Sequence, residues 1–160
     1  MILFEFNKNS DMSHWNSVDD VVMGGKSNGT ISLNEAGLGV FSGKVSLENN
    51  GGFSMVKYHF DSKQVSGFTT ICLKLKGDGK TYQFRVKTSV CDIHSYVAAF
   101  KTTTNWNTIE IPFKSMYPSF RGKPLKMPNY PGEKMAQIAF LIGNNAEETF
   151  KLEIDGIYLK

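Results

Sequence analysis

From one end of the chain to the other, short runs of alternating apolar and polar residues are separated by Gly, Asn, Asp or Pro. A period of two puts successive side chains on opposite faces of an extended strand, whereas a helix needs apolar residues every three or four positions. Thr81–Lys87 is the clearest run: Tyr82, Phe84 and Val86 fall on one face, and Gln83, Arg85 and Lys87 on the other. The same reading predicts strands at Ile2–Phe6, Thr30–Leu33, Gly39–Leu47, Gly52–Phe60, Thr69–Lys76, Ser95–Lys101, Asn107–Phe113, Met135–Ile142 and Phe150–Leu159. Between them, Asn49-Asn50-Gly51-Gly52 and Gly77-Asp78-Gly79 are turns whose glycines tolerate the positive φ of tight hairpins. About ten strands are enough for two packed sheets, so the expectation is an all-β sandwich.

The 160 residues suit one domain spanning positions 1–160, because two halves would each have a small core. Phe occurs 12 times and Ala is scarce, a bias toward strands. A net charge of +3 with no basic block gives no reason to expect nucleic acid as a partner. No apolar run approaches the roughly 20 residues of a membrane-spanning helix, and the N-terminus lacks the pattern of an export signal, so a cytoplasmic location is expected. Cys72 and Cys91 make neither a disulfide framework nor paired zinc spacing; Cys72 reads as a buried thiol and Cys91, beside Asp92, as a poor nucleophile. Residues 114–134 hold four of the five prolines and are expected to form a long loop rather than a helix or central strand.

The stretch Asp19–Thr30 superficially offers three kinds of chemistry. Gly25-Lys26-Ser27 ends like a phosphate-binding loop, yet the position of that loop's first glycine holds Asp20, and Asn28-Gly29-Thr30-Ile31 leads into a strand instead of a helix. Gly25-Lys26-Ser27-Asn28-Gly29 spells a nucleophile elbow, but an elbow joins strand to helix in a parallel sheet, and no such alternation is present. Asp19 and Asp20 are oxygen donors suited to Ca²⁺, or carboxylates that fasten the amides of the Met23-Gly24-Gly25 turn. His14, His59 and His94 are isolated in sequence, so no metal or other cofactor is assigned, and no catalytic residue.

Taken whole, Trp15-Asn-Ser-Val-Asp19-Asp20-Val-Val-Met23-Gly24-Gly25-Lys-Ser27, followed by Leu47-Glu48-Asn49-Asn50-Gly51-Gly52-Phe53, is more distinctive than its fragments. With Tyr82-Gln83-Phe84-Arg85, Thr103-Thr-Asn-Trp106, Phe120-Arg121-Gly122 and Phe150–Ile157, it resembles the NADH:ubiquinone oxidoreductase intermediate-associated protein 30 family, complex I assembly factors, over essentially the whole chain. The chain looks like a free-standing, bacterial version. The resemblance implies a jelly-roll β-sandwich of two antiparallel sheets, galactose-binding-domain-like, without established catalysis. It also implies protein partners, among them subunits of a membrane complex, with a carbohydrate or small polyol as the alternative ligand.

Within that frame the motif residues Trp15, Asp19, Asp20, Met23, Gly24, Gly25, Ser27, Glu48, Asn49, Asn50, Gly51, Gly52 and Phe53 read as architecture. Trp15, Met23 and Phe53 would plug the sandwich end while the acids and amides tie loop backbone down; the same loop could equally present its polar groups to a ligand. The ligand or partner candidates are Gln83 and Arg85 on the polar face of their strand, and Arg121 as a fork of donors in the proline-rich loop. Tyr96, Trp106 and Tyr117 are candidate stacking surfaces, with core packing the competing role for Tyr96 and Trp106.

Overall fold

The computed structural model describes residues 1–19 and 25–160, without the side chains of Asp19 and Asn50. Asp20, Met23 and Gly24 therefore lie outside the described residues. The described chain is built of β-strands joined by turns: β1 (Ile2–Glu5), β2 (Trp15–Asp19), β3 (Asn28–Leu33), β4 (Gly39–Val45), β5 (Ser54–Gln64), β6 (Thr70–Lys76), β7 (Thr81–Lys87) and β8 (Ser95–Lys101). They continue with β9 (Asn107–Pro112), β10 (Tyr117–Phe120), β11 (Lys123–Pro124), β12 (Lys134–Ile142) and β13 (Glu148–Leu159). Single 3₁₀ turns occupy Glu48–Asn50 and Phe113–Ser115. Among the described residues no helix is long and apolar enough to cross a membrane.

The strands form two antiparallel sheets. One runs β3-β4-β13-β6-β9 with β1 also paired to β13, and the larger runs β11-β10-β8-β7-β12-β5-β2. Together they make the β-sandwich that the alternation pattern predicts. The apolar faces meet: Tyr82, Phe84 and Val86 of β7 and Ile138, Phe140 and Ile142 of β12 pack toward Phe41, Ile71, Leu73, Leu75, Leu152 and Ile154 of the other sheet. Phe84 and Phe140 are both fully buried, with rings edge to face at 5.2 Å. Burying large aromatics from adjacent strands supplies most of the drive for stacking two sheets.

Two local devices hold the sheets in place. Gly43 on β4 lies so close to β3 that a Cβ there would stand 2.0 Å from the Asn28 carbonyl oxygen; only glycine permits this spacing. Asp78, in the predicted turn before β7, accepts hydrogen bonds from the Tyr82 hydroxyl at 3.0 Å and the Lys151 amide at 2.9 Å. Because Lys151 belongs to β13, that one carboxylate ties the larger sheet to the smaller.

Three strands exceed the sequence expectation. Trp15–Asp19 forms an edge strand on β5, in register from Trp15↔Tyr58 to Asp19↔Ser54. The proline-rich segment is not wholly a loop: Tyr117–Phe120 pairs with β8 and turns back through Arg121-Gly122 into Lys123–Pro124. Pro118 is tolerated because β10 and β11 form the margin of the sheet. Arg121 (φ 50°) and Gly122 (φ 77°) both have positive φ, the conformation of a two-residue type I′ hairpin.

Candidate functional site

Strand alternation fixes what the outer face of the larger sheet displays. Inward Tyr82, Phe84 and Val86 leave Gln83, Arg85 and Lys87 outward on β7. Antiparallel partners share a face, so the register sets their neighbours. Gln83 stands opposite Leu141 of β12, which stands opposite Met55 of β5. One repeat along, Arg85 stands opposite Ala139, and Ala139 opposite Lys57; next come Lys87, Gln137 and His59. On the other side, Arg85 pairs with Val97 of β8 and Val97 with Tyr117 of β10.

These rows form a groove of about 560 Å³ lined by Phe53, Met55, Gln83, Arg85, Arg121, Gly122, Leu141 and Gly143. Its floor is aliphatic and its polar groups converge from one side. A Cβ on Gly143 would stand 2.9 Å from the Gly52 carbonyl oxygen, so glycine there lets the 51–53 segment close one end. The β10–β11 hairpin supplies the Arg121-Gly122 wall, where the Arg121 guanidinium lies 5.2 Å from the Phe120 ring centre.

The charge of the face is positive. The Arg85 Nη1 donates to Gln83 Oε1 at 3.2 Å, and burial lowers the guanidinium's proton affinity below its ordinary value. Lys87 donates through Nζ to the Asp92 carbonyl at 2.7 Å. Burial, then the neighbouring Lys57 and Arg85 charges, hold the Lys87 ammonium below its usual range. Among the described residues, the ion pairs are Lys26–Glu48, Lys74–Asp155, Lys80–Asp78, Lys151–Glu153 and Lys160–Glu110, and none uses a cation of this face.

The sequence candidates divide accordingly. Gln83, Arg85 and Arg121 come together in the groove, and Tyr117, 38% exposed, stands in the row beside Arg85. Tyr96 is corrected as a stacking surface: its inward parity on β8 buries it, 7% exposed, against Tyr130 at 5.1 Å between ring centres. Trp106 is 41% exposed on the β8–β9 connection and lines no part of the groove, so it is neither core plug nor groove platform. Phe53 is likewise no plug; with Ser54 fully buried beneath it, alternation turns Phe53 outward to the groove.

Trp15 does pack inside, with Phe4, Phe6 and Tyr58 around it at 5.0–5.6 Å between ring centres. Ser27, 1% exposed, accepts from the Ser46 amide at 2.9 Å and donates to the Ser46 carbonyl at 3.2 Å; strand β3 follows it where a helix would be needed for phosphate binding. Gly25 is buried beside it. Lys26 reaches Glu48 at 3.3 Å, and the Gly51 amide closes on the Glu48 carbonyl beyond Asn49 in a left-handed conformation (φ 55°). His14 and His59, separate in sequence, come together with ring centres 5.2 Å apart and planes tilted by 33°; no group of three metal-ligating side chains exists among the described residues. Cys72 is buried, which raises its thiol's pKa, and Cys91 is exposed.

Met55, Lys57, Ala139 and Leu141 are groove or face residues that strand-by-strand reading missed. The run Ile138-Ala-Phe-Leu-Ile142 carries the available signal: a strand apolar on both faces has its outer face covered or used.

Solved structures with this architecture include the family 11 carbohydrate-binding module of the cellulosomal cellulase Lic26A-Cel5E of Clostridium thermocellum. It is 20% identical with a TM-score of 0.71, and the match covers 99% of this chain and 92% of that one. The Clostridium thermocellum module in complex with a β-1,3-1,4-mixed-linked tetrasaccharide matches at a TM-score of 0.68 and 20% identity, covering 97% and 93%. Likeness at this identity establishes the fold. A curated relative, the mitochondrial Complex I intermediate-associated protein 30 of Drosophila melanogaster, is 24% identical over 184 residues, covering 99% of this chain and 62% of the relative. This chain thus spans about three-fifths of that relative's length. The family model described as Complex I intermediate-associated protein 30 matches residues 4–154, and the chain belongs to that family.

Proposed function

We propose that the domain binds without catalysing: it recognises a segment of a protein partner on the outer face of its larger sheet, as an assembly factor does. The observation that carries this reading is the groove itself, an aliphatic floor of Met55 and Leu141 edged by Phe53, Gln83, Arg85 and Arg121. Flexible aliphatic side chains accept peptide side chains of varied shape, and a sheet gives the groove a rigid base. The family's namesake in Drosophila melanogaster supports the assembly role by its name. The Ser27 hydroxyl, the nucleophile an elbow would use, hydrogen-bonds the Ser46 backbone amide and carbonyl, as a structural serine does.

A second reading, a carbohydrate ligand, is favoured by Tyr117, an exposed ring in the same row as Arg85. The fold's likeness to carbohydrate-binding modules supports it. Affinity purification of the tagged chain from its host separates the two. The Met55→Ala/Leu141→Ala variant, altered on the outer face, is expected to lose a captured partner while still unfolding cooperatively, at a lowered midpoint because Leu141 is only 9% exposed. Partner capture that survives this variant would refute use of the groove, and a glycan-array signal with no captured protein would favour the sugar.

A further inference from the structure

Among the described residues, no ion pair uses Arg85, Lys57 or Lys87 of the groove face. Arg85 is half-buried, and the bond its guanidinium makes goes to a neutral amide, Gln83 Oε1. A guanidinium has five N–H donors in a fork matched to a carboxylate. Lys57 stands on the other side of Ala139, which points outward between its two long neighbours yet is only 2% exposed. Lys87 is one repeat further along. Lys87 has the Asp92 charge beside it, but among the described residues Arg85 and Lys57 are in no ion pair, and like charges so placed cost the free domain stability that an incoming anion would return.

The spacing narrows the ligand further. The apolar row of Leu141 and Met55 and the cationic row of Arg85 and Lys57 are one strand repeat apart. That repeat is about 7 Å, the distance between side chains i and i+2 of an extended peptide. Accepting the reading that a protein partner occupies the groove, we infer that the partner's contribution is an extended acidic segment, with a carboxylate on Arg85 and an aliphatic side chain two residues away against Met55 and Leu141. Charge complementarity selects this occupant over a neutral segment.

The test uses the full chain, isotopically labelled, titrated with two blocked six-residue peptides, one alternating Leu and Glu, the other alternating Leu and Gln. An oligogalacturonate serves as a carboxylate from a different source. The acidic peptide is expected to shift the amides of Gln83, Arg85 and Leu141 and to bind at least about tenfold more tightly than the neutral one, the ratio that a single charge-assisted contact of 1.4 kcal/mol produces. Arg85→Gln is expected to erase that ratio by weakening the acidic peptide about tenfold more than the neutral one, and Lys57→Met to reduce it in part. The inference is overturned by equal affinity for both peptides, by an Arg85→Gln variant that weakens both equally, or by no groove shift from any probe at millimolar concentration. Groove shifts from the oligogalacturonate alone also overturn it. None of these reverses the affinity purification, which independently decides whether a protein is bound at all.

Discussion

Replacing Asp78 by Ala should be among the most damaging single changes outside the inter-sheet core. Its carboxylate holds the Tyr82 hydroxyl at 3.0 Å, the Lys151 amide at 2.9 Å and the Lys80 amide at 3.2 Å. The two amides lie near the surface and water replaces much of what they lose. Tyr82 is 1% exposed, so its hydroxyl would be left in the core without an acceptor. An orphaned buried hydroxyl costs about 2 kcal/mol, and the lost tie between β7 and β13 adds about 1 kcal/mol, giving about 3 kcal/mol in total. For a domain of this length that lowers the unfolding midpoint by roughly 10 °C. Urea unfolding and thermal scans measure it, and the Tyr82→Phe background supplies the decisive control. With no hydroxyl to orphan, Asp78→Ala should there cost only about 1 kcal/mol. A loss below about 1 kcal/mol in the parent chain, or costs that simply add, would refute the tether.

The remaining predictions concern other sites, except that Asp78 also contributes to the Tyr82 titration below. Gly43→Ala should cost about 3 kcal/mol or more by forcing β3 from β4, read by urea unfolding, because the clash at 2.0 Å is with backbone. Ser27→Ala should cost about 2 kcal/mol by stripping both Ser46 backbone groups of their partner, whereas Lys26→Ala, from a pair more than 60% exposed on both sides, should leave stability unchanged within error. Burial raises the pKa of Tyr82 and Tyr130 in the fold, so the neutral phenols stabilise it. Stability should therefore hold below the unfolded tyrosine value of 10.0 and fall above it, and absorbance titration should show these two ionising only as the chain unfolds.

Much of the groove face is readable from one strand. The alternation in Thr81–Lys87 correctly divides Tyr82, Phe84 and Val86 from Gln83, Arg85 and Lys87, because parity is a local property of extended backbone. Where a loop leads into a strand parity is not fixed by the sequence: Phe53 reads as a plug, whereas the burial of Ser54 turns it outward. Trp15–Asp19 and Tyr117–Phe120 escaped notice as strands because each is short and at or near a sheet margin, one with a proline inside it, so its pairing rests on a partner rather than on its own pattern.

By itself, then, the sequence determined the all-β class, most of the strands, the turns at Gly77–Gly79 and the family, since each of these depends on neighbours within a few residues or on a continuous motif. Tertiary structure alone decided that Arg85 and Lys57 flank Ala139, that Met55 and Leu141 floor one groove, and that Arg121 reaches it from the β10–β11 turn. Those residues are separated by tens of positions in the chain, and only inter-strand register, fixed by backbone hydrogen bonds and by burial of the opposite face, brings them onto one surface.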